Sequence, residues 1–477
     1  MALPLHTMLI NGKKEKGKGS FPVDNPATGE EIAHVPEVSP ENIQDCLNSA
    51  QSAFKKWSAM SLAERREPIL TYAALLEKNS TEIIDLLISE TGKPLDNAQY
   101  DFGMLVDCLR FFLEEAARLD QPIIKDANGK FLNYMLRQPL GVVVGYLAWN
   151  FPLLNLGYKL GPVLAAGCTA IIKPSQLTPL ASLKCAELSL EAGIPAGVIN
   201  MITGNDYSIT EPLLTSHKTS MFTMIGSTKA GVGAMHTAST NIKHYSVELG
   251  GNAPVIVYDD ADIKKAAADI VGLKLANAGQ VCVSPNRCFV HERVYEEFLA
   301  EAKKQAANFI LGAGHDKGQL MGPMISDKDR KRVLTMVKKA QEKGAKIICG
   351  GKAAPGKGYF MEPTILRDVD RKMPLSCDEI FGPVLPVLPF SDKDDEIALA
   401  NDTDLGLAAY AYTENLNRAL NAAEKIQAGS VCINRVHYDL TLPHGGLKQS
   451  GIGKDCSHYS LEEYLTLKRI SIFMGDE

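Results

Sequence analysis

Gly141-Val142-Val143-Val144-Gly145-Tyr146 is a run of β-branched residues without polar alternation, and after Trp149-Asn150-Phe151-Pro152 comes a stretch, 153–166, with Leu and Ala at helical spacing. A second apolar run, Thr169-Ala170-Ile171-Ile172, follows. Strands apolar on both faces belong inside a sheet that is covered on both sides, and two of them joined by a helix make a βαβ unit. The alternation continues with strands at Val198-Ile199-Asn200-Met201-Ile202, Met221-Phe222-Thr223-Met224 and Tyr245-Ser246-Val247, and with helices over 179–192 and 229–238. The spacing predicts an α/β fold built on a doubly wound parallel sheet. Ligands of such sheets collect beyond the C-terminal ends of the strands.

On the N-terminal side, 39–117 reads as largely helical, with Ser39-Pro40-Glu41 supplying an N-cap and a first-turn proline. Asp126-Ala127-Asn128-Gly129 forms a turn, and 130–137 alternates like an exposed strand that needs a partner. On the C-terminal side, Val255-Ile256-Val257 and a helix over 262–275 lead into a second α/β segment. It comprises the strand Cys288-Phe289-Val290, helices over 294–310 and 327–343, and the strand Lys346-Ile347-Ile348. The two lobes are expected to meet near Glu248, and the tail 468–473 is again strand-like. The glycine-rich 350–358 reads as a surface loop, because it lacks the residue order of a Walker loop.

A chain of 477 residues with 45% hydrophobic content fits two or three globular domains. Its net charge of -6 argues against nucleic-acid binding, and the one basic run, Lys13-Lys14-Glu15-Lys16-Gly17-Lys18, reads as a solvated hairpin tip. The ten cysteines are dispersed, with no C-x-x-C pair and no His-Glu-x-x-His, so neither a disulfide framework nor a metal site is expected. No stretch reaches bilayer length and the start, Met1-Ala2-Leu3-Pro4-Leu5-His6, has no signal-peptide pattern; a reducing, cytoplasmic setting is expected.

The chemistry concentrates in a few strings. Asn277-Ala278-Gly279-Gln280-Val281-Cys282 puts a thiol in a glycine-containing loop, and Val247-Glu248-Leu249-Gly250-Gly251-Asn252 puts a carboxylate beside a Gly-Gly turn. Together they suggest a nucleophile and a base that activates water. Asn150, held at a strand end by the following Phe151-Pro152, offers an amide donor to a developing oxyanion. Gly226-Ser227-Thr228-Lys229-Ala230-Gly231 opens a helix after a strand, the usual setting for a pyrophosphate, and Lys173-Pro174-Ser175-Gln176 stands where a nucleotide ribose would lie. Taken singly, each string has a bland reading: a capped helix, a turn residue, a buried thiol. Their conjunction gives them weight.

In this order the strings resemble the aldehyde dehydrogenases, over nearly the whole chain. The matching motifs are Trp149-Asn150-Phe151-Pro152, Lys173-Pro174-Ser175, Gly226-Ser227-Thr228, Glu248-Leu249-Gly250-Gly251, Gly279-Gln280-Val281-Cys282, Glu379-Ile380-Phe381-Gly382-Pro383 and Pro443-His444-Gly445-Gly446-Leu447-Lys448-Gln449-Ser450-Gly451. The resemblance implies Cys282 as nucleophile, Glu248 as general base, and Asn150 with the Cys282 N–H as oxyanion hole. It also implies a dinucleotide site built from Trp149, Lys173, Ser175, Gln176, Gly226, Ser227, Leu249, Glu379 and Phe381. NAD is the expected cofactor, with NADP tolerated, because Gln176 stands where NAD-preferring members commonly carry a Glu that repels a 2′-phosphate. Tyr158 and His444, with Arg435, His437 and Tyr438 on the loop 434–443, make the expected substrate wall more polar than an aliphatic pocket, which points to a small polar, semialdehyde-like substrate.

By the same resemblance, 1–124 and 138–247 form a Rossmann-type dinucleotide-binding domain and 248–450 a catalytic domain, while 125–137 with 464–477 make a small β oligomerisation arm of a homodimer or homotetramer. Two alternatives are a CoA-acylating relative, which generally does without the Glu base, and a silent structural relative, which would be expected to lose the nucleophile. Glu248, Cys282 and Asn150 are all present.

Overall fold

The computed structural model describes residues 3–318 and 320–475. Met1, Ala2, Gln319, Asp476 and Glu477, which include the outermost residues of the expected first domain and tail arm, lie outside the described residues.

Two sheets organise the chain. The larger has eight strands, and its parallel core is ordered Ile199–Met201, Thr169–Lys173, Val142–Tyr146, Thr219–Ile225, His244–Glu248. Numbered along the chain, that order is 3-2-1-4-5, the doubly wound arrangement in which the switch point falls between Val142–Tyr146 and Thr219–Ile225. Antiparallel strands close its two edges: Met8–Ile10 with Lys13–Glu15 on one side and Gly451–Ile452 on the other. Lys13–Glu15 is thus the second arm of a hairpin, and Lys13 and Lys14 face solvent as the sequence suggests. In the seven-stranded sheet, Val384–Phe390, Pro285–His291, Ala253–Val257, Ala408–Tyr412 and Ser430–Ile433 run in parallel and repeat the same order.

The expected helical region 39–117 consists of four helices, Pro40–Trp57, Leu62–Lys78, Ser80–Thr91 and Leu95–Ala117, the first with Ser39 in a capping box. One expected helix is shorter than the sequence suggests. It covers Tyr295–Ala306, not 294–310, because Ile310–Leu311 leaves to pair with Leu320–Met321. Segment 130–137 also finds its partner within the chain: Phe131–Pro139 pairs antiparallel with Leu465–Phe473 along its whole length, and Ile123–Lys125 adds a third strand.

Two helices that flank the first sheet have no local N-cap: Pro152–Ala166 starts after Phe151 and Leu180–Glu191 after Pro179. Buried carboxylates from the helical region cap them instead. Asp101 accepts from the Leu153 and Leu154 N–H groups at 3.1 and 2.7 Å, and Glu90 accepts from Leu180 and Ala181 at 2.6 and 3.1 Å. Lys93 neutralises Asp101 at 2.6 Å and lies over the Phe151 ring. The segment Trp149-Asn150-Phe151 is therefore fixed from below by an ion pair as well as by its proline.

Candidate active site

A cavity of about 990 Å³ opens where the two sheets meet, and Asn150, Glu248 and Cys282 all line it. Each arrives from a different element. Asn150 follows the strand Val142–Tyr146, Glu248 ends His244–Glu248, and Cys282 sits between the helix Ile263–Leu275 and the strand Pro285–His291.

The loop before Cys282 is unusual backbone. Asn277, Ala278 and Gly279 all have positive φ, at 47, 54 and 71°. A Cβ on Gly279 would lie 2.1 Å from the Gly382 carbonyl, so the approach to Glu379-Ile380-Phe381-Gly382 requires glycine there. Side-chain amides hold the strained loop. Asn277 Nδ2 donates to the Asn150 and Gln280 carbonyls at 3.0 and 3.2 Å; Gln280 Nε2 donates to the Asn277 and Pro323 carbonyls, and Gln280 Oε1 accepts from the Ile325 N–H at 2.8 Å. Asn150 joins this lattice: its Nδ2 donates to the Gln280 carbonyl at 3.1 Å and its Oδ1 accepts from Asn155 at 3.4 Å. A carboxamide nitrogen carries two protons, so one remains for an oxyanion beside Cys282.

Glu248 is held differently. Its backbone is pinned, since Gly226 N–H donates to the Glu248 carbonyl and the next residue, Leu249, donates to Ser450. Both carboxylate oxygens are buried and make no hydrogen bond of normal geometry. The nearest basic group is His444, with Nε2 3.6 Å from Oε2. Burial, with Asp455 nearby, pushes the Glu248 carboxyl well above its usual range; Lys159 and Lys454 offset this in part. Lys159 is spent on Asp455, donating to both oxygens at 2.7 and 2.8 Å with both side chains fully buried. Burial, followed by the carboxylates of Glu248 and Glu379, pushes the Cys282 thiol up. That direction is opposite to the depressed value that favours a nucleophilic thiolate. Gly251 brings the two motifs together: a Cβ there would stand 2.1 Å from the Cys282 carbonyl.

Of the residues expected to bind a dinucleotide, Trp149, Gly226, Ser227, Leu249, Glu379 and Phe381 line the cavity. Gly226 and Ser227 precede the helix Thr228–Ala238, whose first turn carries no acidic residue, and Trp149 meets Phe381 edge-on at 5.3 Å between centroids. Glu379 accepts from the Gly251 N–H at 3.0 Å, and burial raises it to about 7. Lys173, Ser175 and Gln176 lie outside the cavity lining, at and just beyond the end of the neighbouring strand. Lys173 Nζ lies 4.2 Å from the Tyr207 ring centre, burial lowers it to about 8, and the Tyr207 hydroxyl donates to Gln176 at 3.2 Å. These groups fit a dinucleotide laid across the switch point: a ring platform, a helix N-terminus, and a carboxylate for a ribose.

Of the expected substrate wall, Tyr158 and His444 line the cavity, with ring centres 6.4 Å apart. Arg435 and His437 do not line it; Arg435 is exposed and its charge acts on Asp269 instead. Tyr438, expected from the same loop, does line it, and Asp439, which the sequence reading did not name, lines it too. Sequence reasoning also missed Gln280 and Asn277 as loop locks and the Lys159–Asp455 pair. The pair had a visible signal: Lys159 is the one charged residue in a 15-residue helix of Leu, Val, Ala and Gly character, where an unpartnered lysine would not be buried.

Among the described residues no group of acidic, His or Cys side chains is arranged to hold a metal, and no helix is long and apolar enough to cross a membrane. Residues 13–470 match the model of the aldehyde dehydrogenase family. The mitochondrial succinate-semialdehyde dehydrogenase of Arabidopsis thaliana is 40% identical over 97% of this chain and 88% of its own. An Escherichia coli (strain K12) succinate-semialdehyde dehydrogenase named for NADP(+) is 36% identical over 97% of both. Among solved structures, an NAD+ complex of aldehyde dehydrogenase from Bacillus cereus superposes with a TM-score of 0.95 at 36% identity, covering 98% of this chain and 97% of that one.

Proposed function

The chain belongs to the aldehyde dehydrogenase family, an NAD(P)-dependent oxidoreductase of small aldehydes, and from that premise we propose that Cys282, Glu248 and Asn150 oxidise a small polar, semialdehyde-like aldehyde to its carboxylic acid. The observation that carries this reading is the convergence of three motifs, far apart in sequence, on one cavity that six of the nine expected dinucleotide residues also line.

The Cys282 thiol gives up its proton to solvent, its sulfur adds to the aldehyde carbon, and the alkoxide that forms lies against Asn150 Nδ2 and the Cys282 N–H. A bound nicotinamide supplies the acceptor for the hydride that leaves as this adduct collapses. Cys282 then carries a thioester. Glu248 draws a proton from water, the hydroxide attacks the thioester carbonyl, and the thiol and the acid are released. The unanchored carboxylate suits that step, because it must reach a water and withdraw again.

Gly226 and Ser227 would meet the pyrophosphate of NAD and Glu379 with Phe381 its nicotinamide ribose, with Trp149 and Leu249 alongside; Lys173 and Gln176, next to Ser175, would meet the adenosine ribose. An uncharged Gln176 presents no repulsion to a 2′-phosphate, so NADP is accepted too. Residues 1–124 and 138–247 serve as the dinucleotide-binding unit, 248–450 as the catalytic unit, and 125–137 with 464–477 as an oligomerisation arm. The exposed Phe131, Ile472 and Phe473 on that arm, with the exposed Ile123 and Ile124 on the strand that leads into it, support a homodimer or homotetramer. A cytoplasmic setting suits ten free cysteines.

Replacing the nucleophile is the test. Cys282→Ala is expected to abolish aldehyde-dependent reduction of the dinucleotide while nucleotide binding, followed by fluorescence titration, and the thermal transition persist. Residual turnover above about one thousandth of the parent rate would assign the chemistry to another group.

A further inference from the structure

Part of the cavity lining has a composition that the proposed function does not use. One side is a single stripe of the helix Leu95–Ala117, where Tyr100, Met104, Asp107 and Phe111 follow at intervals of four, three and four residues. Tyr158, Tyr438 and Asp439 line the same cavity. Around the entire cavity, the one Lys or Arg among the described lining residues is Arg332. Arg332 is engaged beside Glu379 and Phe381: its guanidinium donates to the Ile380 carbonyl at 2.8 Å and stands 3.8 Å from Asp329.

Cations close in sequence or space are tied elsewhere. Arg110, one turn along the helix from Asp107, makes a two-pronged pair with Glu77 at 2.9 and 2.6 Å. Lys159 is consumed by Asp455, and Lys454 Nζ donates to the Gly445 carbonyl at 3.0 Å. Burial holds His444 below its ordinary value, so it adds no charge at neutral pH. Asp439, by contrast, is held ionised by the Thr441 hydroxyl and N–H, both donating to Oδ1.

A semialdehyde with a carboxylate tail would meet two carboxylates and no free cation in this wall. A cationic tail would meet both carboxylates and the faces of aromatic rings, which attract positive charge. We infer that the substrate carries a positive charge at the end remote from the aldehyde, recognised by Asp107, Asp439 and the ring faces of Tyr100, Tyr158 and Tyr438, an amino- or ammonio-aldehyde. The inference rests on the oxidation proposed above and names its substrate class.

The test is steady-state kcat/KM of the full-length enzyme on three aldehydes of similar length: 4-trimethylammoniobutanal, which keeps its charge and cannot cyclise, pentanal, and succinate semialdehyde. The cationic aldehyde is expected to exceed the anionic one more than tenfold, with the neutral one between them, and the span narrows as salt is raised because both carboxylates are exposed. Asp107→Asn and Asp439→Asn each lower the cation-to-neutral ratio by about fivefold through KM, the effect of one solvated charge at close range. Asp107→Glu retains the ratio. Because a ratio is read within each variant, general damage to the fold cancels. Equal use of all three aldehydes, or preference for succinate semialdehyde, overturns the inference and leaves aldehyde oxidation standing. Turnover of none of the three overturns the proposed oxidation itself.

Discussion

Asn277 and Gln280 spend their side-chain amides on the loop that carries Cys282, whereas Glu248, in the same cavity, has neither carboxylate oxygen bonded. The nucleophile must meet a carbonyl and an oxyanion hole in one geometry, and fixed donors stabilise developing charge only if they need not reorganise. The base has two tasks at different moments, to approach a water and to leave room for the reacting centre. A pinned backbone with a loose carboxylate serves both. The loop's order costs strain, stored in Asn277 and Ala278 at positive φ, and the base's freedom costs desolvation, seen in its raised carboxyl.

Breaking the base should have the largest effect. Glu248→Gln keeps shape and volume but cannot take a proton, so thioester hydrolysis is expected to fall about 10²- to 10⁴-fold. Formation of the thioester should survive, and stopped-flow absorbance should show a burst of reduced nucleotide approaching one per site, followed by a very slow steady state. Asn150→Ala removes one oxyanion donor, so kcat/KM should fall about 10²- to 10³-fold without such a burst.

Loosening the nucleophile's loop comes next. Gln280→Ala strands the Ile325 N–H and the Pro323 carbonyl in a buried setting, a loss of about 2–4 kcal/mol in stability. Urea denaturation should show a lower midpoint. An unchanged midpoint would mean that the strained loop stands without its locks.

The smallest effect sharpens the contrast from the side of the base. Glu248 works only when deprotonated, and its raised value means that the hydrolytic step speeds up with pH over a range well above that of an ordinary carboxylate. His444→Phe replaces a polar edge 3.6 Å from Oε2 by an apolar one, which disfavours the charged form further. The pH profile of kcat should move to higher pH, with a loss of a few-fold at pH 7. A profile that stays in place would show that His444 does not reach the base.

Much of this arrangement was legible in the sequence, for identifiable reasons. Strands buried on both faces leave continuous β-branched runs, so the order of elements from Val142 to Glu248 could be read directly. Cys282, Glu248 and Asn150 sit in glycine- and proline-marked strings because close approach of two backbones excludes side chains, and Gly251 against Cys282 is one such approach. Long-range pairing was not legible. Nothing near Pro152 announces that Asp101 caps its helix, and nothing in 465–473 specifies register with 131–139. Residue type alone does not say which side chains of the loop 434–443 reach the cavity: Tyr438 and Asp439 line it, whereas Arg435 and His437 are exposed elsewhere.

The most direct measurement is the mass of the Cys282 peptide from Glu248→Gln enzyme mixed with aldehyde and NAD and quenched in acid. The account predicts that this peptide gains the acyl group of the substrate, at a stoichiometry near that of the nucleotide burst. An unmodified Cys282 peptide, or the acyl group on another of the ten cysteines, would contradict it.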